Sequence, residues 1–253
     1  MCTVTVIPLD RGIRLITNRD ENRERAAAKP PEIRQIGLRR VLMPIDPESD
    51  GTWIAVNDAG LVMTLLNVNP PRGADRPGPT SAKLLSRGTI IPSLMAAGRL
   101  DDAIESAAAE TDATRMRPFR LIMSDGSEVA ELRSGGDRMQ VTSQVGAGSP
   151  VMFTSSGLGD HIVEPPRRAL FEVMFASTAP ADLQRLQEEF HRHCWPDQRE
   201  VSVNMERAEA RTVSVTIVTL GDRTARMSYF NGVPEHFDGG ATSELRLAPN
   251  LAA

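Results

Sequence analysis

The order of elements along this chain predicts the α+β class, antiparallel sheets covered by helices. Two observations carry the prediction. Segments of strand character joined by tight turns cluster at the beginning and again in the second half. Segments of helical period gather between them, without the one-for-one alternation that a parallel α/β fold requires. With 253 residues and 40% apolar content the chain can bury a proper core. No repeat or long linker divides it, so residues 1–253 are read as one domain.

Thr3 to Pro8 is apolar and β-branched; Asp10-Arg11-Gly12 turns the chain, and Ile13 to Thr17 returns as a second strand. Asn18 to Lys29 is charged and reads as loop. Thr52 to Asn57 and Leu61 to Asn67 are the apolar arms of a hairpin around Asp58-Ala59-Gly60. Pro70 to Pro79 reads as a surface loop. Ser81 to Thr111 has helical pattern, with Thr80 as N-cap, a stripe through Leu84, Leu85, Ile91, Leu94 and Met95, and a break at Pro92. Leu100 to Ala109 is a further short helix, with Asp101 and Asp102 where the helix dipole favours them. Phe119–Ser124, Val129–Arg133 and Met139–Ser143 form a meander, and Val151–Thr154 is a short strand. Arg167–Ala176 and Ala181–Trp195 are helices. Thr212–Leu220 and Ala225–Asn231 make a last hairpin, and the small, polar tail after Gly239 is expected to fray.

The net charge of −4 offers no electrostatic footprint for nucleic acid, and 4% aromatic residues leave few stacking platforms. Nearly all basic charge is arginine, Lys29 and Lys83 being the only lysines, so anions would meet planar, permanently charged forks. No run of about 18 apolar residues is present, so no membrane span is expected. No secretory signal is visible: Val4 to Pro8 is too short and has no basic flank. Two cysteines make no disulfide framework, which points to a reducing compartment, the cytoplasm by default.

The most informative residue is Cys2. Loss of Met1 would leave one residue carrying both a thiol and a free α-amine. Their ordinary pKa values, roughly 8.5 and 7.7–8, let the amine take the thiol proton near working pH. Asn18-Arg19-Asp20-Glu21 follows the second strand. If the first two strands pair, Arg19 and Asp20 lie beside Cys2, where an arginine lowers a thiol pKa and a carboxylate orients an amine. Asn67 closes a buried strand and has an amide suited to a developing oxyanion. Arg211 opens a late β-branched strand and is either solvated or directed at a carboxylate of the site. No metal site is expected: His191 and Cys194 share a helix face, but three or four converging ligands are not visible. Neither a Gly-x-Ser-x-Gly elbow nor a complete dinucleotide fingerprint occurs.

The chain resembles the NRDE family, also called the transport and Golgi organisation protein 2 family. The resemblance is carried by Met1-Cys2, Leu15-Ile16-Thr17-Asn18-Arg19-Asp20-Glu21, Gly51-Thr52-Trp53-Ile54 with Gly60 and Asn67, Ser86-Arg87-Gly88, and Arg211-Thr212-Val213-Ser214. Two departures are Asp50-Gly51, where the family often has Gly-Gly, and Arg25-Ala26, where it often has Arg-Pro. The resemblance implies a four-layer αββα sandwich of the N-terminal-nucleophile hydrolase type. It also implies the roles of distantly similar amidases: Cys2 as nucleophile, Arg19, Asp20 and Arg211 ordering the site, and Asn67 at the oxyanion. Asn18, Glu21 and Trp53 are expected on the substrate side, and Glu21 is the alternative to Asp20 as the carboxylate. Two functions follow. One is hydrolysis of a linear C–N amide bond of a small molecule with no resident cofactor. The alternative is non-catalytic binding or trafficking of haem or an anionic acyl or lipid ligand, roles in which eukaryotic members are implicated. Oligomeric state is not legible.

Overall fold

A computed structural model of the chain describes residues 2–69, 84–135, 138–176 and 178–248. Its elements are β1 (Cys2–Pro8), β2 (Ile13–Asn22), β3 (Lys29–Ile36), β4 (Arg39–Ile45), β5 (Ile54–Asn57), β6 (Val62–Asn67), α1 (Ile90–Leu94), α2 (Leu100–Glu110), β7 (Phe119–Ser124), β8 (Glu128–Gly135), β9 (Arg138–Gly146), β10 (Val151–Thr154), α3 (Asp160–Phe175), α4 (Leu183–Arg192), β11 (Ala210–Leu220), β12 (Thr224–Asn231) and β13 (Ala241–Arg246). One sheet runs β10-β1-β2-β11-β12-β13 and the other β3-β4-β5-β6-β7-β8-β9. Every described pairing between these strands is antiparallel; an isolated parallel bridge joins Ser214 to Gly232.

The period-2 alternation of the strands builds the layers. Val4, Val6, Ile13 and Leu15 point inward from the first sheet to meet Val56, Val62, Leu66 and Ile122 of the second. Met63, Leu65, Leu121 and Met123 point the other way and pack under α1 and α2. Met152 of β10 meets Phe171 and Phe190 of α3 and α4. The result is the expected αββα order. Each fully buried Leu, Ile or Val contributes roughly 1.5–3 kcal/mol of transfer free energy.

Several expectations need correction. The segment Asn18 to Lys29 is not loop throughout: β2 continues to Asn22, because its polar residues lie between two neighbouring strands and find buried partners. The hairpin of β3 and β4 had no sequence assignment; β3 carries Pro30 and Pro31 and lies at a sheet edge, mostly exposed. Of the helix expected from Ser81, residues 81–83 lie outside the described residues, and among those described the α-helix begins at Ile90. Leu84 and Leu85 are 41% and 37% exposed and form no buried stripe. Pro92 does not break the helix, since it occupies the first turn of α1, where no N–H is needed. Thr80 and Pro70 to Pro79 lie outside the described residues. α3 starts at Asp160 and runs through Pro165 and Pro166. The tail is not frayed up to residue 248: β13 pairs with β12 from Tyr229↔Ala241 to Thr224↔Arg246.

Candidate active site

Antiparallel pairing of β1 with β2 sets Cys2 directly opposite Arg19. Alternation then sorts the whole Asn18–Glu21 segment. Cys2 and Arg19 face the second sheet, whereas Asn18 and Asp20 face α3 and α4. Cys2 is 4% exposed and packs in the cluster that holds Trp53 and Leu66. Its backbone nitrogen donates to Ser155 Oγ at 3.3 Å, and its carbonyl accepts from the Ser155 N–H at 2.9 Å. Burial pushes the Cys2 thiol up; the positive charges of the amino terminus and Arg19 work against it. At neutral pH the sulfur is therefore held as a thiol, and its use as a nucleophile requires a base at hand.

The Arg19 guanidinium is locked from two directions. Its Nη2 donates to Asp46 Oδ2 at 2.7 Å, and its Cζ lies 4.4 Å from the centroid of the Trp53 ring, a cation–π contact. Asp46 also accepts from Arg25 Nε at 2.9 Å. A cavity of about 450 Å³ opens beside this cluster, with Arg19, Arg25, Asp46, Trp53, Asn67 and Arg87 in its wall. Asn67 ends β6 half-buried, its amide hydrogen-bonded to no described residue. It shares a face with Leu65, whereas Leu66 of the opposite face packs with Cys2. The Trp53 indole Nε1 is buried with no partner among the described residues. A larger cavity, about 560 Å³, lies among the turns at Gly12, Gly60, Gly126 and Gly221, at the other end of β1; none of the expected site residues lines it.

Asp20 sits on the opposite face of the sheet from Cys2. Its Oδ1 accepts from Thr212 Oγ1 at 2.7 Å, and its Oδ2 is 4.0 Å from Arg167 Nη2. Arg167 is fully buried on α3. It donates from Nη1 to Thr3 Oγ1 and Thr154 Oγ1, from Nε to the Val201 carbonyl and from Nη2 to the Ser202 carbonyl. Burial pulls its guanidinium down to about 10, with the Asp20 carboxylate opposing. Arg167 thus ties β1, β10 and the 201–202 loop to the Asp20 carboxylate.

Two expected site residues are elsewhere. Asn18 does not reach the cavity: it donates to the His191 and Val203 carbonyls at 2.9 and 3.0 Å beneath α4. Arg211 is exposed on β11, opposite Glu21, and does not line the cavity. The register shifts between Thr212 and Ser214, and it is Thr212 that reaches Asp20. Glu21, half-buried, lies 3.9 Å from Arg19 and 3.8 Å from Arg25, on the cavity side of β2. Among the described residues no His, Cys, Asp or Glu cluster suits a metal ion. His191 is occupied: its Nδ1 meets Asn18 Oδ1 and its Nε2 meets Thr5 Oγ1, both at 2.8 Å. Asn18 spends its amide donors on two carbonyls, so its oxygen is the acceptor and His191 carries its proton on Nδ1.

Arg87 and Asp46 had no place among the expected site residues. Gly51-Thr52 and Ser86-Arg87-Gly88 prove to be one contact. The Thr52 N–H donates to the Gly88 carbonyl at 3.1 Å, and a Cβ on Gly51 would lie 2.5 Å from that carbonyl oxygen. Only glycine admits this approach, which delivers Arg87 to the cavity. The co-occurrence of the two fragments was the available signal; their meeting in space was not.

A sandwich whose first strand begins next to the initiator methionine with a cysteine, paired with an arginine on the second strand, has the architecture of the N-terminal-nucleophile hydrolases. The fold matches solved members. The Caenorhabditis elegans ortholog of N-acylethanolamine-hydrolyzing acid amidase aligns with a TM-score of 0.57 at 8% identity, over 86% of this chain and 92% of that one. A variant of the conjugated bile acid hydrolase from Clostridium perfringens aligns with a TM-score of 0.50 at 11% identity, over 100% and 99%. The chain belongs to the Transport and Golgi organisation 2 family, whose model matches residues 1–221. No curated protein sequence matches it. Among the described residues no helix is long and apolar enough to cross a membrane.

Proposed function

We propose that the chain hydrolyses a linear C–N amide bond of a small amphipathic molecule, with Cys2 as nucleophile once Met1 is removed. The observation that carries this reading is the pairing of Cys2 with Arg19, whose guanidinium lines a cavity together with Asn67 and Trp53. The freed α-amine of Cys2 keeps the Ser155 hydroxyl as neighbour and takes the proton of its own thiol. The sulfur then attacks the amide carbonyl. The Asn67 amide and the Trp53 indole N–H are the donors available to the oxyanion. The C–N bond breaks as the α-ammonium returns the proton to the leaving amine. Water then cleaves the thioester, releasing the carboxylic acid and restoring the thiol. Arg19, held by Asp46 and Trp53, sets a positive field around the sulfur, and the Asp20 carboxylate favours the ammonium form of the amine from the far face of β2. A reducing compartment such as the cytoplasm suits a free amino-terminal thiol.

The test is mass spectrometry of the mature protein before and after an acyl electrophile. The expected result is a chain beginning at Cys2, with the label on Cys2. Cys2→Ala should lower turnover by about 10⁴-fold or more. Retention of Met1, or labelling of Cys194 in preference, would overturn the reading.

The excess of arginine in the cavity favours a second reading, a carrier of an anionic amphipathic ligand, or of haem with Cys2 as the iron ligand. A haem titration followed in the Soret region, with and without Cys2→Ala, tests it. An unchanged spectrum at micromolar protein would dispose of it.

A further inference from the structure

The four arginines of the cavity wall divide into two pairs. Arg19 and Arg25 share the Asp46 carboxylate, at 2.7 and 2.8 Å. Among the described residues Arg87 donates to a neutral acceptor alone, from Nη1 to the Pro118 carbonyl at 3.2 Å. No described carboxylate lies within 4.0 Å of Arg87 or Arg117. Burial and the neighbouring Arg117 charge push the Arg87 guanidinium down, while Glu21 and Cys2 act the other way. A half-buried guanidinium beside a like charge is an unfavourable arrangement that an anion would relieve.

The turn that bears Arg87 is fixed before any ligand arrives. Ser86 Oγ accepts from the Gly88 N–H at 3.3 Å, Thr89 Oγ1 donates to the Ser86 carbonyl at 2.8 Å, and the Gly88 carbonyl is held by Thr52. Such preorganisation lowers the ordering cost of binding. Beside the charged pair, Leu65, Leu84 and Leu85 give the same cavity an apolar wall. Leu84 and Leu85 are among the exposed large apolar side chains of the molecule.

We propose that Arg87 and Arg117 form the seat for the anionic group, a carboxylate or a phosphate, of an amphipathic substrate whose apolar part lies along Leu65, Leu84 and Leu85. The inference rests on the hydrolase reading for the position of the scissile carbonyl at Cys2. Arg87 shares the cavity wall with Arg19, the cross-strand partner of Cys2, so the anion and that carbonyl lie in one cavity.

The experiment is calorimetric binding to the full chain carrying Cys2→Ala, which cannot turn over. Three ligands of one chain length are compared: N-octanoylglycine, N-octanoylphosphoethanolamine and the neutral N-octanoylethanolamine. At least one anionic ligand should bind roughly ten-fold or more tightly than the neutral one, the range of a charge-assisted hydrogen bond. The two anionic arms separate carboxylate from phosphate. The preference should vanish with Arg87→Gln and weaken with Arg117→Gln, each in the Cys2→Ala background and checked for folding by thermal unfolding. Should Arg87→Gln fail to fold, the exposed Arg117 carries the test. Equal binding of all three ligands, binding of none, or a preference untouched by these substitutions would overturn the proposal. Failure of the hydrolase reading shows differently: discrimination persists in Cys2→Ala, but the wild-type chain forms no acyl-enzyme.

Discussion

The two faces of the sheet around the β1–β2 pair treat their buried polar groups in opposite ways. On the face toward α3 and α4, Thr3, Thr5, Arg14, Asn18 and Asp20 are joined to Arg167, Gln187, Glu188, His191 and Thr212 in a closed hydrogen-bond network. On the face toward the second sheet, Thr17 Oγ1, Thr216 Oγ1 and Trp53 Nε1 are buried with no partner among the described residues. Arg87 stands nearby with, among the described residues, a carbonyl as its one acceptor. A buried polar group without a partner is expensive, so native folds retain few. The closed face therefore reads as structure, holding β1 in place, and the open face as the side where chemistry or a ligand completes the bonding.

The closed face predicts the largest stability effect. Arg167→Ala removes the tie between α3, β1, β10 and Asp20, leaving a buried carboxylate without its guanidinium. The expected loss is about 3–5 kcal/mol, the cost of breaking a buried ion pair from one side. Urea unfolding measures it as a fall in the midpoint at unchanged slope. A loss below about 1 kcal/mol would mean that the network is ornamental and the contrast between faces is false.

How much of this was legible in the sequence depends on which partner settled each residue. Apolar alternation needs no partner, so β1, β5, β6, β7 and β11 were readable from their own residues. The far end of β2 was not, because charged residues in a row signal loop unless their partners are known. Here Asp46, Arg167 and Thr212 supply those partners, from 27 to 192 positions away along the chain. Asn18 failed as a substrate contact for the same reason: strand parity turns it away from Arg19, and parity is fixed only once the register with β1 is. Arg211 failed through an irregularity between Thr212 and Ser214 that no composition signals. Arg87 was quoted for resemblance but given no role, since its delivery depends on the Gly51–Gly88 approach.

His191 gives the closed face a pH signature. Burial holds its imidazole well below the ordinary value of 6.5, with Arg14 and Arg167 adding to the effect. The unfolded chain takes up a proton that the folded chain refuses. The stabilisation is therefore fully present above pH 6.5 and is lost as pH falls below it, by about 1.4 kcal/mol per unit. Burial also lowers His193, so two groups share the slope. Urea midpoints at pH 7.5, 6.5 and 5.5 should fall in the wild-type chain and fall less steeply in His191→Gln. An identical slope in the variant would show that the network tolerates a charged imidazole.

The smallest effect is the sharpest test of the comparison, because it sets two residues of one strand and one type against each other. Thr212 and Thr216 are 5% and 0% exposed, so replacing either by valine removes a hydroxyl from the interior with little change in shape. Thr212 Oγ1 donates to Asp20 and accepts from the Met205 N–H at 3.0 Å. Thr212→Val leaves both without it and should cost about 1.5 kcal/mol or more, the scale of a hydrogen bond to a charged group. Thr216 Oγ1 has no described partner to orphan. Thr216→Val should stay within about 0.5 kcal/mol of wild type, in either direction, when both are measured by urea unfolding. A cost at Thr216 equal to that at Thr212 would mean that the sandwich side is as fully bonded as the helix side, and the physical ground for placing ligand chemistry there would be gone.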